Sequence, residues 1–291
     1  MNIGILASGG DGAGMNQCLY YMCKNLIRHK IVLFYRGYQG LIENSIANFS
    51  LRQLKDERKK GGIIIKSSRS QDFLTQSGFN KAVKNIKKNN IDLLIVMGGN
   101  GSFQGVKKLI DAGVNCLFIP TTIDNDIKES DYSIGYSTAV FNAVDFIQKV
   151  DTSMQAFDRL CIYEVMGRHC PDIANSVTKL TKADYCYTSN STNEDCLKTI
   201  KKALKKDTSP KIVLQENVID NLKLKDYLSA NLKNVDVKVA VVGYVQRGGM
   251  ATKQELFNAK GFANKVVECV RKKQVNKIIC LKNNIFEAKT I

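Results

Sequence analysis

Glycine-rich segments follow two short apolar runs of the sequence. Residues 3–7 lead into S-G-G-D-G-A-G at 8–14, and residues 93–97 lead into G-G-N-G-S at 98–102. Glycines at a strand-to-helix turn allow positive φ and let main-chain N–H groups approach a phosphate, with the helix dipole assisting. A tight packing turn would also carry such glycines. The pattern is neither a Walker A loop nor a strict G-x-G-x-x-G, so two phosphate-binding turns are a hypothesis with a packing alternative.

Carboxylates and hydroxyls follow a third apolar run, residues 116–119. The segment P-T-T-I-D-N-D places Thr122 two residues before Asp124 and four before Asp126. Beside a polyphosphate this combination suits phosphoryl transfer, in which one carboxylate accepts a hydroxyl proton and the rest of the loop positions the group. A polar turn that caps a helix would use the same residues.

Four arginines stand beside predicted strands: Arg69, Arg159, Arg168 and Arg247. A guanidinium next to glycine can bind phosphate oxygens in a bidentate way, which lysine does less well. A single loop arginine is usually a solvated surface residue. Four in equivalent positions favour an anion site.

The elements that must position these residues follow a βαβ rhythm. Apolar runs at 3–7, 31–35, 61–65, 93–97 and 116–119 predict strands, and amphipathic stretches at 15–29, 80–88 and 105–112 predict helices. A second set follows, with a long helix at 137–149, a helix from Pro171 and strands at 160–165, 211–214 and 239–242. No flexible linker separates the sets. We expect two packed three-layer α/β units with mostly parallel sheets.

Composition excludes several classes of protein. The net charge is +16, but the lysines are scattered, so nucleic-acid binding is disfavoured and stays a third hypothesis. No apolar run reaches the roughly 18 residues of a membrane span, and we expect a cytoplasmic protein without a membrane partner. Nine cysteines without C-x-x-C pairs indicate neither a disulfide framework nor a zinc site.

Together these motifs resemble the 6-phosphofructokinase family. The resemblance runs from Met1 to about residue 265 and is carried by S-G-G-D-x-x-G-M-N (8–16), G-G-N-G-S (98–102), T-I-D-N-D-I (122–127), E-V-M-G-R (164–168) and Q-R-G-G (246–249). It implies a phosphofructokinase-like fold, with a larger nucleotide-binding domain at 1–134 and 248–291 and a smaller sugar-phosphate-binding domain at 135–247. It also implies transfer of the γ-phosphoryl group of ATP to the 1-hydroxyl of fructose 6-phosphate in glycolysis, with Mg²⁺ as cofactor.

The resemblance also implies roles for individual residues. Asp124 would be the catalytic base, with Thr122 and Arg168 steadying the transferred group. The nucleotide, ATP or ADP, would contact Gly10, Arg69, Ser70, Gly99, Asn100, Gly101 and Ser102. The sugar phosphate would contact Thr122, Ile123, Asp124, Asp126, Arg159, Met166, Gly167, Arg168, Glu216, Lys238, Tyr244 and Arg247. Because Arg159 and Lys238 would come from a neighbouring subunit, a homo-oligomer, dimer or tetramer, is expected.

Some positions depart from the family pattern. Asn100 stands where the family has an aspartate that helps to hold Mg²⁺, which leaves Asp126 as the other candidate metal ligand. Tyr244 replaces a histidine and Lys238 an arginine. Gly101 agrees with ATP users, whereas Thr121 fits neither ATP nor pyrophosphate users. An alternative is therefore a weakened or inactive relative that acts as a binding or regulatory subunit.

Overall fold

The computed structural model describes all residues, 1–291, and the chain divides into two compact units. The first unit comprises Met1–Ser137 and Arg247–Ile291, and the second comprises Thr138–Gln246. The functional domains expected from the sequence, with boundaries after 134 and after 247, stay a prediction. No helix combines the length and the apolar character needed to cross a membrane.

Strands and helices alternate along most of the chain. The strands are β1 (Asn2–Ser8), β2 (Lys30–Phe34), β3 (Ile46–Ala47), β4 (Leu93–Gly98), β5 (Cys116–Pro120), β6 (Leu160–Val165), β7 (Tyr185–Tyr187), β8 (Lys211–Gln215), β9 (Val237–Val241), β10 (Lys277–Lys282) and β11 (Ile285–Thr290). The α-helices are α1 (Met15–Asn25), α2 (Gly37–Glu43), α3 (Leu51–Glu57), α4 (Gln76–Lys88), α5 (Asn100–Asp111), α6 (Tyr136–Gln155), α7 (Asp172–Thr181), α8 (Asn193–Ala203), α9 (Asn221–Asn231) and α10 (Lys253–Arg271). Two 3-10 helices occupy Asp72–Leu74 and Gly243–Arg247.

The first unit is built on a seven-stranded sheet of order β11-β10-β5-β4-β1-β2-β3. The five inner strands are parallel, and the two edge strands are antiparallel to their neighbours. Alternate side chains enter different cores: Ile5 packs with residues of α1 and α10, and Leu6 packs with residues of α4 and α5 on the other face. Burial on both faces explains why the inner strands read as continuous apolar runs.

The second unit contains a four-stranded parallel sheet of order β7-β8-β6-β9. Leu160 and Ile162 of β6 pack with Ile200 of α8 and with Leu224 and Leu228 of α9. The expected fold class, two α/β units with mostly parallel sheets, is confirmed.

Two local predictions were wrong. Residues 61–65 form no strand: Ile65 is fully buried, but Gly62 has φ 75° and only Lys60 forms an isolated bridge, to Met250. The apolar run therefore marks burial alone. Helix α5 begins at Asn100 and not at 105, because a first helical turn tolerates the glycines that lower helix propensity inside a helix.

The hairpin of β10 and β11 was not predicted. Lys282 pairs with Ile285 across a two-residue turn in which Asn283 and Asn284 have φ 48° and 61°. Asparagine tolerates this left-handed conformation, so an Asn-Asn pair between apolar runs is a hairpin signal. This hairpin closes one side of the first unit's sheet.

Candidate functional site

Three loops with polar residues leave the same edge of the first unit's sheet. In the parallel register Ser8 of β1 lies opposite Gly98 of β4, and Gly98 lies opposite Pro120 of β5. The segments 9–14, 99–102 and 121–126 therefore begin side by side. Ligands of open parallel sheets bind outside such carboxyl ends. The structure thus brings together the three groups of residues that the sequence motifs singled out in this unit.

The first loop is a turn between β1 and α1 that depends on its glycines. Gly9 has φ 95°, and Gly14, the N-cap of α1, has φ 92°. A Cβ on Gly10 would lie 2.8 Å from Nη1 of Arg247. The Gly9 N–H donates to the Ser68 carbonyl oxygen (3.1 Å), and the Ser67 hydroxyl donates to the Gly9 carbonyl oxygen (2.9 Å). The exposed side chain of Arg69 therefore follows a segment that is bonded directly to the glycine turn.

The second loop enters α5 directly. Gly99 is the N-cap, so Asn100, Gly101 and Ser102 form the first turn of the helix, whose main-chain N–H groups have no partner within the helix. No side chain caps this end, and a Cβ on Gly101 would meet no atom within 4 Å. An anion at this position would accept these N–H groups and would be stabilised by the helix dipole.

Two of the serines assigned to the nucleotide form hydrogen bonds within the protein. Ser102 is buried, and its hydroxyl donates to the Ser8 carbonyl oxygen (2.9 Å), so α5 is joined to the end of β1. Ser70 likewise donates to Oε1 of Gln39 (2.6 Å) and accepts from the Phe73 N–H (3.1 Å). For both serines, the hydroxyl proton is already used in a bond within the protein.

Tyr38 supports the same turn, and sequence reasoning missed it. Its buried hydroxyl donates to the Ser102 carbonyl oxygen (2.8 Å), and its ring stacks on Phe73 with 3.9 Å between ring centroids. A Cβ on Gly105 would lie 2.8 Å from the Tyr38 hydroxyl oxygen, so this close approach requires glycine. Burial raises the pKa of Tyr38 well above its usual value, which keeps the hydroxyl protonated as a donor. No local pattern around residue 38 indicates this contact.

The third loop carries Thr122 and Asp124. Asp124 is only 5% exposed. Its main-chain N–H donates to Oγ1 of Thr122 (3.2 Å). A Cβ on Gly99 would lie 3.4 Å from Cβ of Thr122, so the threonine is beside the N-cap of α5. Ile123 is fully buried and packs near Gly12, which leaves its main chain for any ligand contact. The carboxylate thus belongs to a loop adjacent to the helix N-terminus.

Asp126 is a candidate cation ligand in this loop. Its Oδ1 is buried and has no hydrogen-bond partner in the protein. A buried carboxylate oxygen without a donor is costly, and a hard cation such as Mg²⁺ would relieve this cost. No cluster of three or more His, Cys, Asp or Glu side chains forms a complete metal centre. Asn100 is exposed and offers a neutral amide oxygen only.

In the second unit, the loop after β6 is held by two side chains. Oε1 of Glu216 accepts the N–H groups of Gly167 (3.0 Å) and Arg168 (2.9 Å). Oε1 of the buried Gln246, the first residue of the Q-R-G-G motif, accepts the Met166 N–H (2.8 Å). Glu216 therefore shapes the Met166–Arg168 turn. In this loop Arg168 is exposed and has φ 49°.

Asp236 forms ion pairs with Arg159 and Lys238, the two cations that the resemblance assigns to the sugar phosphate of another subunit. Its Oδ2 lies 2.8 Å from Nε of Arg159, and its Oδ1 lies 3.0 Å from Nζ of Lys238. Hydrogen bonds from Lys238 and Arg159 lower the pKa of Asp236. Sequence reasoning missed Asp236, although its position two residues before Lys238, directly before β9, was a usable signal. Tyr244, in the second 3-10 helix, is 83% exposed.

Comparison with known proteins identifies related chains. The phosphofructokinase family model matches residues 2–270. A relative from Clostridioides difficile named ATP-dependent 6-phosphofructokinase is 37% identical over 97% of this chain and 90% of its own length. A relative of the same name from Oceanobacillus iheyensis is 33% identical over 98% of this chain and 90% of its own length.

Solved structures share the fold. The structure of Pichia pastoris phosphofructokinase in the T-state aligns with a TM-score of 0.91 at 23% identity over 99% of this chain. The aligned region covers 34% of the Pichia chain, so this protein spans about a third of that chain's length.

Proposed function

The chain belongs to the phosphofructokinase family, and we propose that it is an ATP-dependent 6-phosphofructokinase. It transfers the γ-phosphoryl group of ATP to the 1-hydroxyl of fructose 6-phosphate, giving ADP and fructose 1,6-bisphosphate in cytoplasmic glycolysis. The observation that carries the proposal is the common edge at which β1, β4 and β5 end, since it places a glycine turn, a helix N-terminus and the Asp124 loop side by side.

The first unit supplies the donor site. The open N-terminal turn of α5, with the N–H groups of Asn100, Gly101 and Ser102, binds nucleotide phosphates. Gly10 lets the phosphates approach the main chain, and the exposed guanidinium of Arg69 adds a positive charge. Ser70 acts by holding its segment on Gln39.

Asp124 acts as the base that accepts the proton of the sugar 1-hydroxyl. Thr122 and Arg168 steady the transferred group, which carries its charge mainly on its peripheral oxygens. The Asp124 carboxylate is buried in a loop, which limits its motion. Its low exposure also keeps bulk water away from the oxygen that accepts the proton. Removal of that proton makes the hydroxyl oxygen a better nucleophile.

Mg²⁺ would be held by Asp126 together with the nucleotide phosphates, and it would neutralise charge on the transferred group. The residues present fit this cation because Oδ1 of Asp126 is buried without a donor. Asn100 can contribute a carbonyl oxygen without charge, which is a weaker ligand for a hard cation.

The acceptor residues that the resemblance assigns are Met166, Gly167, Glu216 and Tyr244 in the second unit, and Ile123, Asp126 and Arg247 in the first. Arg159 and Lys238, which share Asp236, extend to the 6-phosphate held by a neighbouring subunit. Such a shared site requires a homo-oligomer, either a dimer or a tetramer. Two cations bound to one carboxylate retain a net positive charge for this phosphate.

A second candidate function is that of a binding or regulatory subunit without turnover. The observation that favours it is the exposed neutral side chain of Asn100 at the first position of α5. In this case the protein binds the sugar phosphate but forms no fructose 1,6-bisphosphate.

A coupled assay tests the proposal. Purified protein, MgATP and fructose 6-phosphate are expected to yield fructose 1,6-bisphosphate, detected through aldolase-coupled NADH oxidation. Replacing ATP with pyrophosphate is expected to abolish product. Absence of product with both donors, combined with binding of fructose 6-phosphate by calorimetry, would instead support the regulatory subunit. Product with pyrophosphate alone would contradict the proposed donor.

A further inference from the structure

A fully buried carboxylate lies in the first turn of α10. Glu255 is 0% exposed, and the helix is capped by the Thr252 hydroxyl, which accepts the Glu255 N–H. Its Oε1 accepts the Tyr132 hydroxyl (2.8 Å) and the Gly135 N–H (2.9 Å), and its Oε2 accepts the Ser137 hydroxyl (3.0 Å). A carboxylate is seldom buried this completely unless several donors compensate the loss of water.

The segment that Glu255 binds is bonded in turn to the Asp124 loop. The Ser133 hydroxyl donates to the Thr122 carbonyl oxygen (2.7 Å), and the Ser133 N–H donates to Oδ1 of Asn125 (2.9 Å). The Ile134 N–H donates to the carbonyl oxygen of Pro120, the last residue of β5 (3.0 Å). Residues 132–137 therefore connect the Glu255 carboxylate to the end of β5 and to the loop that carries Thr122 and Asp124.

The glycine turn packs on the same carboxylate. A Cβ on Gly14 would lie 2.8 Å from Cγ and 3.1 Å from Oε1 of Glu255. A Cβ on Gly12 would lie 3.2 Å from Cα of Gly135. The loops 9–14 and 121–126 thus both contact Glu255 or segment 132–137, which Glu255 binds.

The groups around the Glu255 carboxylate are hydrogen-bond donors. Three donors point at its two oxygens, and the carboxylate lies in the first turn of a helix, where the dipole favours a negative charge. Burial, and then the negative charge of Glu255, raise the pKa of Tyr132 far above its usual value. Tyr132 therefore remains a donor to this carboxylate.

We propose that Glu255 is a positioning residue for phosphoryl transfer, which holds segment 132–137 and, through Ser133, the loop that carries Asp124. It contacts no reacting atom. The inference rests on the proposed function, since the loop that it positions is the one assigned to the base. Small displacements of a reacting group are expensive: about 1 Å can cost on the order of 100-fold in rate.

The test is the variant Glu255→Gln, with Val266→Ala on the same helix as the control for lost stability. The amide can keep one acceptor oxygen, but it cannot accept all three hydrogen bonds. We expect kcat to fall by about 10-fold or more, with both KM values within about 2-fold of the wild type. Val266 is fully buried, and its truncation should lower the unfolding temperature while leaving kcat unchanged.

Hydrogen exchange provides a readout that does not depend on activity. In Glu255→Gln, the amides of segments 121–126 and 132–137 should exchange faster, whereas Val266→Ala should not change these segments selectively. A wild type without turnover would overturn the proposed function and leave this readout to decide the role of Glu255. Wild-type kcat in Glu255→Gln, an equal loss of kcat in both variants, or unchanged exchange at 121–126 would each overturn the inference.

If Glu255→Gln does not fold, Ser133→Ala tests the same connection. It removes the hydroxyl that donates to Thr122 and leaves Glu255 with its partners. We expect a lower kcat and faster exchange at 121–126 with little change at 132–137. An unchanged kcat in a folded Ser133→Ala variant would contradict the proposed connection.

Discussion

Nη1 of Arg247 donates to the main-chain oxygen of Asp11 at 3.0 Å, although the two residues are 236 positions apart in the sequence. The same nitrogen lies 3.8 Å from Oδ1 of Asp11 and beside Gly10, where any larger side chain would meet it. The guanidinium, assigned by resemblance to the sugar phosphate, is therefore anchored on the glycine turn assigned to the nucleotide. If both assignments hold, a change at this arginine affects both substrates.

Arg247→Lys is predicted to weaken binding of both substrates. An ammonium can replace the charge, but it cannot keep the bond to the Asp11 carbonyl oxygen and bind a phosphate with a planar fork. We expect the KM for fructose 6-phosphate to rise about 10-fold or more and the KM for ATP to rise about 3-fold, while kcat changes less. Initial-rate kinetics measure both, with Arg52→Lys on the exposed face of α3 as control. Unchanged KM values would show that the anchored guanidinium binds neither substrate.

Asp124→Asn is predicted to remove the base while keeping the shape of the side chain. Loss of general-base catalysis should lower kcat by about 10² to 10⁴, with a modest change in the KM for the sugar. Steady-state kinetics give the result, and Asp111→Asn, at the exposed end of α5, controls for the change in charge. Near-normal turnover in Asp124→Asn would exclude this carboxylate as the base.

The sheet edge could be predicted because its signals are local. The runs that form β1, β4 and β5 are buried on both faces, and each is followed directly by glycine or by a polar turn. Parallel strands then place the loops together. The start of α5 at Asn100 could not be predicted in the same way. The glycines of its first turn have low helix propensity, and the helix is stabilised mainly by tertiary packing.

Contacts between distant residues left no local signal. The sequence T-K-Q-E at 252–255 is typical of a capping box, in which the glutamate would reach back to the N-cap N–H. Thr252 does cap α10, but the Glu255 carboxylate binds residues more than 110 positions earlier. Tyr38 and Ser102 are likewise 64 positions apart. Such pairs depend on the complete packing and cannot be deduced from spacing.

Tyr38→Phe is predicted to loosen the first turn of α5. It removes the hydroxyl that donates to the Ser102 carbonyl oxygen and leaves that buried oxygen without this donor. We expect the free energy of unfolding to fall by about 1 to 2 kcal/mol and the KM for ATP to rise several-fold, with the KM for the sugar unchanged. Urea denaturation and initial rates measure these effects.

Tyr187→Phe is the matched control for Tyr38→Phe. This buried tyrosine donates to Oδ1 of Asn193 at 2.8 Å, and both residues belong to the second unit. It should lose stability without a change in the KM for ATP. An equal rise of this KM in both variants would mean that Tyr38 acts through general stability and not through the turn.

Asn100→Asp is predicted to strengthen the use of Mg²⁺. Residue 100 is the first residue of α5, where the helix dipole stabilises a carboxylate by about 0.3 to 1 kcal/mol, and the residue is exposed. The added carboxylate would supply a charged ligand in addition to Asp126, so half-maximal activity should need several-fold less Mg²⁺, with an equal or higher kcat. Rates measured across a Mg²⁺ titration at fixed ATP test this. Asn115→Asp, at an exposed residue between α5 and β5, controls for the change in net charge. Turnover that appears only in Asn100→Asp would identify the natural protein as the non-catalytic relative. An unchanged Mg²⁺ dependence would mean that Asp126 and the nucleotide phosphates already complete the metal site.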